Sequence, residues 1–248
     1  MIERFDVIGC KISKTTTQGA VQEILSQVRS KQGGYVCFAN VHAGVTAYNN
    51  PGYLSVLNHS FLTLPDGRPI YWIGRLNGVQ GIEQIPGPDF LPKLMAQKSN
   101  PPLRHYFYGG QPEALEKMIV NLKKKFPDAV LAGWESPPFR ELSIDEDSQA
   151  IRRIKESKAD IVWVGLGAPK QEYWMAFHQD QLKPVVLLGV GAAFDFHAGS
   201  IERAPIWMRK IGLEWLHRLV QEPNRLWRRY LVTNTLFLIY ALKSLIWR

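Results

Sequence analysis

Asp66 lies in Pro65-Asp66-Gly67, directly after the apolar run 61–64, and Asp195 lies between Phe194 and Phe196, just past a second apolar run at 185–189. A carboxylate at the end of a buried strand can serve as a general base or hydrogen-bond a polyol hydroxyl. In open α/β sheets that carboxyl edge is where ligands bind. An aspartate in a Pro-Asp-Gly turn can also serve the turn itself, by accepting a backbone N–H. Lys170 and Gln171 follow Gly165 and Gly167, where the buried run 161–164 gives way to a helix start. The two glycines let the chain turn tightly and approach a ligand, although an ordinary strand-to-helix connection needs them equally. Arg218, Arg225 and Arg228 fall at i, i+7 and i+10. They share one face if the helix is continuous, and Pro223 is positioned to break or start one there. Guanidinium groups bind phosphates bidentately. The plain alternative for these arginines is a solvated basic face.

Other chemistries find little support. Gly189-Val190-Gly191-Ala192-Ala193-Phe194 resembles a dinucleotide fingerprint but has Phe at the third glycine position, and no acidic residue follows at the usual distance, which argues against an NAD site. No glycine loop carries a Walker lysine. Cys10 and Cys37 lack CxxC spacing and sit in apolar surroundings, so they read as buried core thiols in a reducing compartment rather than a disulfide or zinc ligands. The six histidines show no metal-ligand spacing. Asp145-Glu146-Asp147 satisfies a DxD pattern, but it opens an expected helix at 145–157, where acidic residues favour the N-terminus electrostatically. The expectation is therefore no metal and no cofactor.

These residues need a scaffold, and the chain supplies one by alternation. Apolar runs at 35–39, 61–64, 105–108, 130–133, 161–164 and 185–189 are each followed by a glycine or turn signal, and several lead into helix-period segments such as 112–126. This predicts a Rossmann-like α/β fold, mostly parallel, with helices on both faces. A strand pair at 4–12 precedes it, and Thr15 to Gln18 has capping-box spacing ahead of the first helix. Residues 78–88 are too rich in glycine and proline to be regular. The chain has 248 residues, 46% hydrophobic, enough to bury a core, and shows no signal-peptide pattern.

Its net charge of +8 is concentrated at the C-terminal end: residues 199–248 carry nine Lys or Arg against three Glu, a net of +6, with four of the eight tryptophans. The domain expectation is an α/β core at 1–200 and a basic, Trp-rich appendage at 201–248. Within it, the apolar run 236–242 is too short to span a bilayer. It suits an interfacial helix, with Lys243, Trp247 and Arg248 at the headgroups, or a helix packed on the domain. Without further information, an enzyme and a non-catalytic basic module that binds membrane or nucleic acid through this segment both fit.

Taken together in this order, Pro65-Asp66-Gly67, the Gly165 to Glu172 stretch, Gly189 to Asp195, Arg203-Ala204-Pro205-Ile206-Trp207, the 212–219 stretch and the 222–230 stretch resemble the WecG/TagA/CpsF family of bacterial glycosyltransferases. The resemblance spans nearly the whole chain. It implies metal-free, inverting transfer of a hexose, of N-acetylmannosamine type, from a UDP-sugar to a sugar on a polyprenyl-diphosphate carrier, in surface-polysaccharide or teichoic-acid-like polymer synthesis. It places the base on Asp66, the pocket glutamine on Gln171 and the catalytic arginines on Arg218, Arg225 and Arg228. The expected substrate-binding set is Asn40, Gly165, Gly167, Lys170, Gln171, Asp195 and Arg203. Phe38 departs from the family pattern, standing where a threonine is usual two residues before Asn40. The expected setting is the inner face of the plasma membrane, with peripheral attachment and no nucleic-acid partner; a homo-oligomer is allowed.

Overall fold

The structure is a computed structural model that describes residues 2–246; Trp247 and Arg248, expected at the membrane boundary, lie outside the described residues. Arg4–Val7 (β1) and Cys10–Ser13 (β2) form the expected antiparallel pair. Thr17–Arg29 is the first helix (α1), and its leading amide, on Thr17, donates to the Glu83 carboxylate at 2.9 Å. That partner comes from 66 residues away. Gly34–Ala39 (β3), Val41–Asn49 (α2), Pro51–His59 (α3), Leu62–Pro65 (β4) and Arg68–Leu76 (α4) follow. Asn40 and Asn50 cap α2 and α3, each side-chain oxygen accepting the N–H three residues on, from Ala43 at 3.1 Å and Tyr53 at 3.0 Å.

After an irregular stretch at 77–86, the strand–helix alternation becomes regular: Gly87–Met95 (α5), Arg104–Gly109 (β5), Pro112–Lys125 (α6), Val130–Glu135 (β6), Ile144–Glu156 (α7), Ile161–Gly165 (β7), Lys170–Leu182 (α8) and Val186–Gly189 (β8). Ser143 and Glu146 complete a full capping box at the start of α7. Four helices end the chain: Ala193–Ala198 (α9), Ile206–Lys210 (α10), Glu214–Gln221 (α11) and Pro223–Ile246 (α12).

The main sheet has six strands in the order β4-β3-β8-β7-β5-β6, with parallel pairings of β3 to β8, β8 to β7, β7 to β5 and β5 to β6. This is the α/β Rossmann-like architecture expected from the alternation. Ile161 to Val164 are completely buried, as a strand covered on both faces requires. By packing, the chain falls into two compact units, one of Met1–Thr17, Phe38–Pro86 and Ile201–Arg248, the other of Gln18–Cys37 and Gly87–Ser200.

In the second unit, His105 on β5 is 1% exposed, and its Nδ1 accepts the indole N–H of Trp163 at 3.2 Å. Burial pushes this imidazole down to about 4. In the unfolded chain it titrates near its ordinary value of about 6.5, so on acidification the unfolded state takes up the proton first. The stability due to keeping His105 neutral is therefore complete above about pH 6.5 and is lost as pH falls towards 4, at about 1.4 kcal/mol per unit, or roughly 3 kcal/mol in all. Denaturant titrations at pH 7 and pH 4 should show a larger acid loss for the wild type than for His105→Gln. Equal losses in the two proteins would contradict this.

In the first unit, α12 packs on α2. Phe237 is 3% exposed and lies against Gly44, where an added Cβ would stand 3.6 Å from its ring. Tyr240 stacks on Tyr48 with centroids 3.9 Å apart and donates its hydroxyl to Asn49 at 3.0 Å. The opposite face carries Leu231, Val232, Leu238, Ile239 and Leu242, all exposed. The C-terminal helix thus has one face on the protein and a second apolar face outward. Among the described residues no helix is long and apolar enough to cross a membrane.

Candidate active site

In the first unit, the turn carrying Asp66 is built on the end of β3. The amides of Asp66 and Gly67 both donate to the Ala39 carbonyl, at 2.9 and 3.2 Å. Gln84 donates to the Asp66 carbonyl at 2.8 Å, and Ile85 N donates to the Pro65 carbonyl at 2.8 Å. Space at residue 67 is tight, since a Cβ there would come within 3.1 Å of Asn40 Cα. These main-chain and side-chain bonds hold the backbone of the turn, and the Asp66 carboxylate receives the Asn40 amide at 3.4 Å. Asn40 therefore has two tasks, capping α2 with Oδ1 and facing Asp66 with Nδ2. On α2, His42 Nδ1 is buried and makes no hydrogen bond; burial first, and the Arg229 charge second, hold this imidazole down at about 4, neutral at pH 7. Phe38 is buried in β3, 7% exposed.

The same unit holds the four candidate arginines. Arg203 meets Glu214 at 2.8 Å, while Gln221 exchanges two hydrogen bonds with the Glu202 backbone, tying the segment before α10 to α11. Pro223 starts α12, so Arg218 ends one helix and Arg225 and Arg228 begin the next, rather than sharing one continuous face. Glu222, at the joint, draws two of them together: Arg225 contacts both its carboxylate oxygens at 3.0 and 3.2 Å, and Arg218 reaches Oε2 at 3.2 Å. Arg228 is exposed and makes no hydrogen bond or ion pair among the described residues.

In the second unit, the glycine-rich connections serve packing and ligand access differently. Gly165 has no room for a side chain because the Phe194 ring would lie 2.8 Å from it, and Gly109 is pressed against Gly165 itself at 2.6 Å. At Gly167 the space is open, and the requirement is conformational, φ +79°. Lys170 is exposed and reaches the Arg140 carbonyl at 3.5 Å. Gln171 is buried beside Glu172, its amide donating to that carboxylate at 2.7 Å and to the Gly189 carbonyl at 2.9 Å. Asp195 lies in the first turn of α9, a short helix just beyond the end of β8.

The DxD residues have structural employment. Glu146 caps its own helix and pairs bidentately with Arg140, which holds its carboxyl down at about 2. Asp147 Oδ2 lies 2.8 Å from His178 Nε2. Among the described residues, no three His, Cys, Asp or Glu side chains stand together as ion ligands.

Residues 5–248 match the family model described as the glycosyl transferase WecG/TagA/CpsF family. The chain belongs to this family. Its relatives include a protein of Bacillus spizizenii, 30% identical over 200 residues, covering 81% of this chain and 76% of the relative. Another, of Staphylococcus aureus, is 26% identical over 227 residues, covering 91% and 87%. Both are N-acetylglucosaminyldiphosphoundecaprenol N-acetyl-beta-D-mannosaminyltransferases. As a WecG/TagA/CpsF glycosyltransferase, the chain contains two residues that end or open its family motifs and are not in the expected site set, yet touch residues that are: Glu172 and Glu222. Each directly follows or lies close to a motif residue that it contacts, and adjacency was the available signal.

Proposed function

We propose that this chain transfers a hexose of N-acetylmannosamine type from a UDP-sugar to an N-acetylglucosamine carried on a polyprenyl diphosphate, in the synthesis of a cell-surface or teichoic-acid-like polymer. The observation that carries this reading is the relatives' shared activity, over alignments spanning at least four fifths of this chain. Asp66 takes the proton of the acceptor hydroxyl as its oxygen attacks the anomeric carbon; the bond from that carbon to the UDP oxygen breaks in the same displacement, inverting the centre. Arg218, Arg225 and Arg228 meet the charge on the departing diphosphate, so that no divalent metal is required. Asn40, Gly165, Gly167, Lys170, Gln171, Asp195 and Arg203 form the substrate-binding set.

The segment from Arg203 onward acts as an appendage to the core that also docks the enzyme on the inner membrane face. Exposed Trp207, Trp227, Val220, Leu231 and Leu238 support this reading. So does the excess of basic residues, each worth about 1 kcal/mol near an anionic leaflet.

The test is transfer itself. Purified protein given UDP-N-acetylmannosamine and a short-chain polyprenyl-diphospho-N-acetylglucosamine should release UDP and form a lipid-linked disaccharide, at the same rate in EDTA. Absence of transfer from every UDP-hexose offered would sink the assignment, and activity lost in EDTA and restored by magnesium or manganese would sink its metal-free part.

A further inference from the structure

Gln171 and Glu172, the first residues inside α8, are 4% and 2% exposed. Both hydrogens of the Gln171 amide are committed, to Glu172 Oε1 at 2.7 Å and to the Gly189 carbonyl at 2.9 Å. The Gly189 carbonyl can only accept, which turns the amide nitrogen towards β8, and the Glu172 oxygen holds it there from a second side, so the two together set the orientation of the carboxamide. The other end, Oε1, is buried and accepts no hydrogen bond among the described residues. Leaving a buried amide oxygen unpaired is unfavourable. Oε1 looks towards Gly191, standing 3.5 Å from where that residue's Cβ would be, and Gly191 has φ +52°, a conformation that disfavours any side chain there. The protein thus holds an acceptor ready and leaves the space in front of it without a side chain.

We propose that Glu172 is a positioning residue that locks the Gln171 carboxamide as an acceptor only, so that the site reads a hydrogen-bond donor, a hydroxyl or the acetamido N–H, on the sugar of the nucleotide-sugar substrate. This rests on the UDP-sugar reading above. A glutamine free to rotate by 180° would accept a donor or an acceptor from the ligand and discriminate little. Held by the Glu172 oxygen and the Gly189 carbonyl together, it discriminates against a ligand that offers only lone pairs at that point. A site built to pair with a donor rejects the analogue that lacks one.

The experiment measures dissociation constants of UDP, of UDP-N-acetylmannosamine, and of analogues in which one hydroxyl is replaced by fluorine or the acetamido group by acetoxy. Wild type, Glu172→Gln and Glu172→Met are compared, with thermal melts as a fold control. In the wild type one analogue should bind about tenfold or more weakly than the parent sugar. Glu172→Gln, which still offers an oxygen to the Gln171 amide, should keep most of that ratio; Glu172→Met should bring it close to one, and UDP alone should bind all three proteins alike. A ratio unchanged in Glu172→Met overturns the locking role. Equal loss of UDP affinity in that variant moves the contact to the nucleotide and overturns the sugar assignment. If Glu172→Met does not fold, the wild-type panel still decides, because an absence of any discriminating analogue overturns the acceptor-only reading. Failure of every UDP-sugar to bind the wild type would instead count against the proposed function itself.

Discussion

Asp66→Asn should fold, bind donor and transfer sugar at a rate on the order of a hundredfold or more below wild type. The turn that holds residue 66 depends on main-chain groups, the Asp66 and Gly67 amides on Ala39 and the Gln84 side chain on the Asp66 carbonyl. None of these is touched by the substitution. An asparagine can also keep its oxygen towards the Asn40 amide, which lies 3.4 Å from the carboxylate. What is removed is the carboxylate's charge and basicity, with its shape kept. A kinetic loss with an unchanged melting temperature and an unchanged donor dissociation constant is therefore the signature of a base. Wild-type turnover in a folded Asn variant would rule out that role.

Arg225→Ala should lower turnover by about a hundredfold while leaving association with anionic liposomes nearly intact. The guanidinium of Arg225 holds both oxygens of Glu222, and Arg218 shares one of them, so two positive groups already converge on an anion at the joint of α11 and α12. A diphosphate offers the same kind of paired oxygens and twice the incentive. The docking proposed above would draw instead on many basic residues and on the outward apolar side chains of α12, so that removing one charge should change it little. Turnover on a soluble short-chain acceptor, read beside a liposome sedimentation assay at low salt, separates the two. Parallel loss in both assays would mean that Arg225 serves attachment rather than chemistry, and full-length protein that ignores anionic liposomes would remove the docking idea.

The parts of this fold legible in the sequence were those with a local cause. Ile161 to Val164 announce a doubly covered strand by being apolar without alternation, and the acidic run Asp145 to Asp147 announces the start of α7 by its charge. Long-range pairings were not legible. The Thr17 amide finds Glu83 across 66 residues, and Gly165 owes its identity to the ring of Phe194, neither of which a window of neighbouring residues can contain. At the candidate site the motif residues could be named from their types and order, but their partners could not. Whether Arg218 and Arg225 meet depends on the bend that Pro223 introduces, and the orientation of Gln171 depends on a carbonyl from β8.

The distribution of indoles has a consequence for spectroscopy. Trp163 is completely enclosed in the sheet with its N–H on His105, and so has a fixed, apolar surround that no solute reaches. Trp72, Trp207, Trp215 and Trp227 are open to solvent, and the last three belong to the segment that carries the outward apolar residues. Emission on the red edge, and its quenching by iodide, therefore come mainly from that segment, while the blue component belongs to the interior. If the C-terminal segment docks as proposed, adding anionic vesicles to unlabelled protein should shift and shield the red component without altering the blue one, so that the native tryptophans report on that segment and on the interior at once.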